Sequence, residues 1–294
     1  MYGFNLNRMG VQNRGPAGST PATPGNPGEG YTTLLWLDAS DTGTITDTGG
    51  LVDQWDSLEG RSLSFTGSGA TRPTTGVASQ NSLNGIRFAG DYLTSTLVNT
   101  GFGEMHQAAE FNVFVVFNPG VVADPNASYG IMGDCAGSSS AKTGYSLIWS
   151  DLTSFSRNET IQHVIGAGLS SSPPNRAALD LVEANGSSPV QTPQQIAVEY
   201  DLDNATYADR SRFYPGGSLT GAGGNIHTAT PSAVTGSSHS FQIGAVGNNV
   251  LPATMDIFEI IVVVGPNDTT FRQDIEAYLA SKWGLTLPGG HPGA

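Results

Sequence analysis

The sequence predicts an all-β domain closed by one short helix. Three observations predict it. Turn formers are abundant, with 39 Gly and 17 Pro in 294 residues. Charged residues make up only 13%, which suits a protein built from many short strands. Convincing helical periodicity occurs once, near the C-terminus.

That C-terminal stretch organises the rest. Asp256–Val264 (DIFEIIVVV) is β-branched and aromatic, and too continuously apolar for an exposed strand. Gly265-Pro266-Asn267-Asp268 breaks it. Phe271, Ile275, Tyr278, Leu279 and Trp283 then fall on one face of a helix. Thr270 and Gln273 have the spacing of a capping box, Gly284 stands where a left-handed residue ends a helix, and Pro288 forbids a restart.

Upstream, residues 1–30 cannot make a core. Pro16, Pro21, Pro24 and Pro27 forbid a helix across the second half. Tyr2, Phe4, Leu6, Met9 and Val11 are apolar residues that a purely solubilising tail does not need, so the segment reads as an extended docking arm, held by a partner or by the domain itself. The domain runs over 31–288, with 289–294 as a tail. Strand-like runs within it are Leu34–Leu37, Val52–Asp56, Ile86–Phe88, Tyr92–Leu97, Phe111–Phe117, Tyr145–Ser150, Ile161–Ile165, Gln195–Tyr200, Ser211–Tyr214 and Phe241–Val246. Asn84-Gly85 and Pro215-Gly216-Gly217 read as hairpin turns. About a dozen strands without a 20–50-residue repeat point to two packed sheets rather than a propeller or solenoid.

Charge excludes one class of function. The net charge is −13 and the 12 basic residues are scattered, whereas nucleic-acid binding needs clustered Lys and Arg. A single cysteine, Cys135, rules out an internal disulfide and suits a reducing compartment. Residues 1–30 show no apolar signal segment, and no 18-residue apolar run suggests a membrane span.

Four segments carry a family resemblance. Leu35–Asp41 (LWLDASD), Val52–Ser57 (VDQWDS), Leu83–Leu93 (LNGIRFAGDYL) and the combination FQIGAVGNN, MDIFEIIVVV and FRQDIEAYLASKWGL resemble the LamG-like, concanavalin A-like jelly-roll domains, in this order and over residues 34–285. The resemblance implies a jelly-roll sandwich with a short C-terminal helix. It says little about function, because such folds host lectins, hydrolases and adhesion modules. A short arm beginning Met-x-Gly-Phe before such a domain resembles tailed-bacteriophage virion proteins. That implies a tail, fibre or capsid-surface component assembled in the host cytoplasm.

Candidate chemistry is sparse. Laminarinase-like members of the fold use a Glu-x-Asp-x-x-Glu strand. Here Thr254 or Met255 stands near the first Glu, and Asp256 and Glu259, three apart, fall on opposite faces of a regular strand. No glycosidase is expected from this motif. Asp38, Asp41, Asp47, Asp53 and Asp56 form an acidic cluster, in which Asp38 and Asp41 are candidate Ca²⁺ ligands or turn caps. The five histidines lack zinc spacing. Trp36, Trp55 and Trp283 lie inside the family's structural motifs and read as core. Trp149, with Tyr129, Tyr207 and Tyr214, is a candidate sugar-stacking aromatic. The expectation is therefore a non-enzymatic virion protein, arm-anchored, that displays a jelly roll toward neighbours or host glycans. A capsid decoration protein and a bacterial carbohydrate-binding or polysaccharide-degrading module are the alternatives.

Overall fold

The computed structural model describes residues 22–58, 63–97, 102, 105, 110–119, 128–135, 144–150, 160–165, 175–180, 192–201, 203–206, 210–217 and 239–294. Among these residues the strands are β1 (Thr32–Asp38), β2 (Ile45–Thr48), β3 (Leu51–Asp56), β4 (Ser64–Thr66), β5 (Thr74–Gln80), β6 (Leu83–Asp91), β7 (Leu93–Ser95), β8 (Glu110–Asn118), β9 (Ser128–Gly133), β10 (Tyr145–Ser150), β11 (Thr160–Ile165), β12 (Asn175–Asp180), β13 (Gln194–Asp201), β14 (Ser211–Pro215), β15 (Gln242–Ile243) and β16 (Ala253–Val264). Helix α1 (Thr269–Trp283) follows β16.

The strands join in one sheet, ordered β12-β11-β10-β9-β15-β7-β4-β3-β5-β6-β16-β8-β13-β14, with β1 added to β16 and β2 to β3. The sheet curls so that its two halves face each other. Phe65, Leu93, Met132, Leu147, Trp149 and Ile243 from one half share a core with Phe111, Val113, Val115, Ile196, Ile257 and Val262 from the other. A second core lies outside the β16-β8-β13 half, beneath α1. It holds Trp36, Phe114, Val116, Phe258, Ile261 and Val263 with Phe271, Ile275, Tyr278, Leu279 and Trp283. Strand β8 reads as continuously apolar for this reason: both of its faces are covered. Each fully buried side chain of this size contributes about 1.5–3 kcal/mol.

Strand β16 ties the sheet together. It pairs with β6 through Ala253–Ile257, with β8 through Asp256–Val264 and with β1 through Glu259–Val264. The register against β8 shifts between Ile257 and Glu259. This bulge turns Phe258 and Glu259 both toward α1. Asp256 and Glu259 therefore share a face of the sheet, contrary to the alternation expected of a regular strand.

Helix α1 carries the expected apolar face, but its start differs. Asp268 is the N-cap, at φ −118° and ψ 128°, and its carboxylate accepts from the Phe271 amide at 2.9 Å. Thr270 lies within the first turn and is not the cap. The helix ends at Gly284 in the left-handed region (φ 65°, ψ 34°), as the sequence predicts. The tip of the β5–β6 hairpin caps this end: Gln80 Nε2 donates to the Trp283 carbonyl at 2.8 Å and Asn81 Nδ2 to the Lys282 carbonyl at 2.9 Å.

That hairpin corrects the Asn84-Gly85 expectation. The turn is made by Asn81 and Ser82, at φ 52° and 63°, the left-handed pair of a two-residue hairpin loop. Asn84 and Gly85 lie in β6. Asn84 ties Ala39 O and the Gly76 amide. A Cβ on Gly85 would lie 2.6 Å from the Phe258 ring, so this glycine serves close packing rather than a turn.

Both flanking segments meet α1. The Ala22 amide donates to Asp274 Oδ2 at 2.9 Å, and Tyr31 stacks on Phe271 at 4.1 Å between ring centroids. His291 is buried, with Nε2 3.0 Å from Glu276 Oε2. The proposed arm residues Tyr2, Phe4, Leu6, Met9 and Val11 lie outside the described residues. No helix among the described residues is long and apolar enough to cross a membrane.

Candidate functional site

The helix side of the sheet holds most of the buried charge, and those groups are engaged with one another. Glu259 accepts from Trp36 Nε1 (2.7 Å), Tyr278 OH (3.0 Å), Lys282 Nζ (2.8 Å) and Trp283 Nε1 (2.6 Å). Lys282 also meets Asp38 Oδ2 at 2.5 Å. Burial pushes the Glu259 carboxyl above the usual carboxylate range; Lys282 draws it back and Asp38 adds to the rise. Along the helix, Arg272 bridges Glu199 at 3.0 Å and Glu276 at 2.6 Å, and lies over the Tyr214 ring at 3.6 Å. Burial likewise raises Glu276, and Arg272 and His291 oppose the rise. These are structural networks: they pin α1 to the sheet and present no reacting group to solvent.

The opposite side of the molecule is different. On the outer face of the half built from β3, β4, β7 and β15, polar side chains alternate with the core, except in β3, where Val52 and Trp55, three apart, are both buried in it. Trp55, Phe65, Leu93 and Ile243 point inward. The register pairs Thr46 with Gln54, Gln54 with Thr66, Thr66 with Thr94 and Thr94 with Gln242, which forms one outward row. A parallel row pairs Asp56 with Ser64, and the Thr96 amide and hydroxyl both donate to Ser64 O. Ser64 Oγ and Gln54 Nε2 both donate to Asp56 Oδ1, at 2.6 and 2.8 Å. Hydroxyls, amides and one carboxylate thus cover a surface two rows deep.

A solvated antiparallel face is polar in any case. Two further features mark this one. Gln242 is 2% exposed and holds the loop that follows it from both ends of its amide. Its Oε1 accepts from the Asn249 backbone at 2.9 Å, and its Nε2 donates to Asn249 Oδ1 (2.5 Å) and Thr94 Oγ1 (3.1 Å). The loop itself is strained. Asn248, Asn249 and Leu251 have φ of 64°, 61° and 57°, a conformation that costs a branched residue such as Leu about 1 kcal/mol or more. Asn248 and Asn249 are exposed. The result is an amide-bearing loop fixed at the edge of a hydroxyl-bearing sheet. Both groups donate and accept hydrogen bonds.

The residues singled out in the sequence fall elsewhere. Trp149 is fully buried in the main core, with Tyr129 stacked on it at 5.7 Å, so its ring offers no face to a ligand from solvent. Tyr129 is half-buried against the same core. Tyr214 is 6% exposed and its hydroxyl donates to Glu199 at 2.8 Å, which corrects its assignment as a surface aromatic. Tyr207 lies outside the described residues. Asp38 and Asp41 do not converge: Asp38 binds Ser40 and Lys282, and Asp41 Oδ1 accepts from the Gly43 amide at 3.0 Å. Among the described residues no group of three or more His, Cys, Asp or Glu could hold a metal ion. Asp256 pairs with Arg87 at 2.8 Å and Glu259 has no solvent access. Gln54, Thr66, Thr94, Gln242 and Asn249 escaped the sequence reading, because their row crosses strands distant in sequence.

No known protein family and no curated protein matches the sequence. Solved structures do. Trypanosoma rangeli sialidase matches with a TM-score of 0.51 and 14% identity over 95% of this chain and 37% of that one. The likeness is one of fold. The same sialidase as a covalent intermediate with 2,3-difluorosialic acid gives a TM-score of 0.50 and 14% identity, over 88% of this chain and 34% of that one. A botulinum neurotoxin type C structure, from work on its interaction with two ganglioside molecules, reaches 0.49 with 14% identity, over 87% of this chain and 55% of that one. That score is too low to carry weight. The chain spans little more than a third of the sialidase it resembles.

Proposed function

We propose that this chain is a non-enzymatic carbohydrate-binding domain of jelly-roll type, which receives its ligand on the outer face of β3, β4, β7 and β15. The observation that carries the reading is the row Thr46–Gln54–Thr66–Thr94, continued by Gln242 into the fixed Asn248–Asn249 loop. A sugar presents a close array of hydroxyls, and a rigid array of hydroxyls and amides meets it with little ordering cost. The likeness of fold to part of a longer chain, a sialidase, supports the reading. Binding without turnover is supported by the two carboxylates on β16, which are engaged with Arg87 and beneath α1.

A glycan array with the whole chain tests this. Binding to a defined set of oligosaccharides is expected, and Gln54→Ala with Thr66→Val should weaken it about tenfold while leaving the unfolding temperature near that of the parent. Silence across the array, or binding indifferent to these substitutions, would reject the site.

A second reading places the domain on a bacteriophage particle. One observation favours it: Ala22 and Tyr31 are fastened to α1, so the described part of the chain begins on the side opposite the polar face. An arm bound to other virion proteins would leave that face outward. Deleting residues 1–15 should then abolish incorporation into particles with the domain still folded; normal incorporation would reject this reading.

A further inference from the structure

Resting on the carbohydrate-binding reading, we propose that the ligand is an uncharged sugar chain, and that the polar face discriminates against glycans carrying sialic or uronic acids. Apart from Asp56, the groups that would touch a ligand are neutral: Thr46, Gln54, Ser64, Thr66, Thr94 and Thr96 are hydroxyls and one amide. The charge on this surface is negative. Asp56 sits within it, between Gln54 and Ser64. Asp47 is exposed on the adjoining β2. The bordering cation, Arg72, is held by Asp53 at 2.5 Å, and Asp53 takes a further hydrogen bond from Thr48 at 2.6 Å. Of the other described cations, Arg87 pairs with Asp256, Arg272 and Lys282 lie beneath α1, Arg176 is on β12, and Arg210 and Arg212 are at β14; Arg61, between β3 and β4, lies outside the described residues.

Recognition of a carboxylated sugar asks for the opposite arrangement. A sugar carboxylate is met best by a guanidinium fork or an ammonium. Here it would approach Asp56 with no described cation to offset the repulsion. Two like charges a few ångströms apart near a protein surface repel, and the chain's net charge of −13 adds a long-range term of the same sign. Neutral hydroxyls pay none of this and can donate to Asp56 directly.

Matched pairs of oligosaccharides test the inference: neutral hexose oligomers, and the same oligomers extended by a terminal sialic acid or hexuronic acid, titrated calorimetrically against the full chain. The neutral member should bind at least tenfold more tightly. The gap should shrink as salt is raised from 0.05 to about 0.5 M, because screening acts on the repulsion alone. Asp56→Asn should narrow the gap by improving the acidic member, and the salt series needs no variant. Equal or tighter binding of the acidic members overturns the inference while leaving the carbohydrate-binding reading intact. Binding of neither member rejects that reading and this inference with it.

Discussion

The Lys282 ammonium lies 2.8 Å from the Glu259 carboxylate, and the two side chains are 4% and 0% exposed. The pair joins the last turn of α1 to the bulge of β16, and Asp38 of β1 joins the same ammonium. Three distant parts of the chain thus meet at one buried charge.

Removing that charge should be severe. Lys282→Met would leave Asp38 and Glu259 buried without their cation, a loss of about 3–5 kcal/mol. Urea unfolding should show it as a lower midpoint at unchanged slope. A loss under about 1 kcal/mol would mean that the indole and phenol donors to Glu259 suffice.

The helix start separates two expectations. Asp268→Ala removes the observed cap and should cost about 1 kcal/mol, whereas Thr270→Ala should be close to neutral. The reverse order, read by thermal unfolding, would restore the capping box expected from the sequence.

Gly85→Ala tests the β6–β16 contact. The added methyl meets the Phe258 ring at 2.6 Å, and overpacking of this kind costs about 1–3 kcal/mol. A stabilised variant would show that Gly85 is dispensable for packing.

Stability should respond to pH through the carboxyls beneath α1. Glu259 and Glu276 are both raised above the ordinary 4.5, chiefly by burial. A raised group holds its proton more firmly when folded. Its contribution is fully present below the unfolded value of 4.5 and is lost as pH rises through the higher folded value. Stability above pH 4.5 should therefore fall with rising pH through these two groups. Glu276→Gln should flatten its share of that slope. A variant with the parent's slope would assign the dependence to other groups.

Much of the fold was legible in the sequence because it rests on local pattern. The Phe271–Trp283 face and Gly284 specify α1, and FNVFVVF and DIFEIIVVV specify strands covered on both sides. Asp268 was missed because Thr270 and Gln273 offered a formally matching cap two residues later. Asn84-Gly85 misled because a turn dipeptide and a close-packed glycine look alike in one dimension. The candidate site was the least legible. Gln54, Thr66, Thr94 and Gln242 become neighbours through pairings across β3, β4, β7 and β15, strands of only two to six residues. Conversely, Trp149 and Tyr214 suggested a sugar platform by residue type, and burial removes that role.

The most direct test of the ligand face is a crystal structure of the chain with a saturating neutral oligosaccharide. Sugar oxygens are expected within about 3.5 Å of the Gln54, Thr66 and Thr94 side chains, with the Asn248–Asn249 loop unmoved. A sugar bound instead against α1, or anywhere that leaves this row untouched, would contradict this assignment.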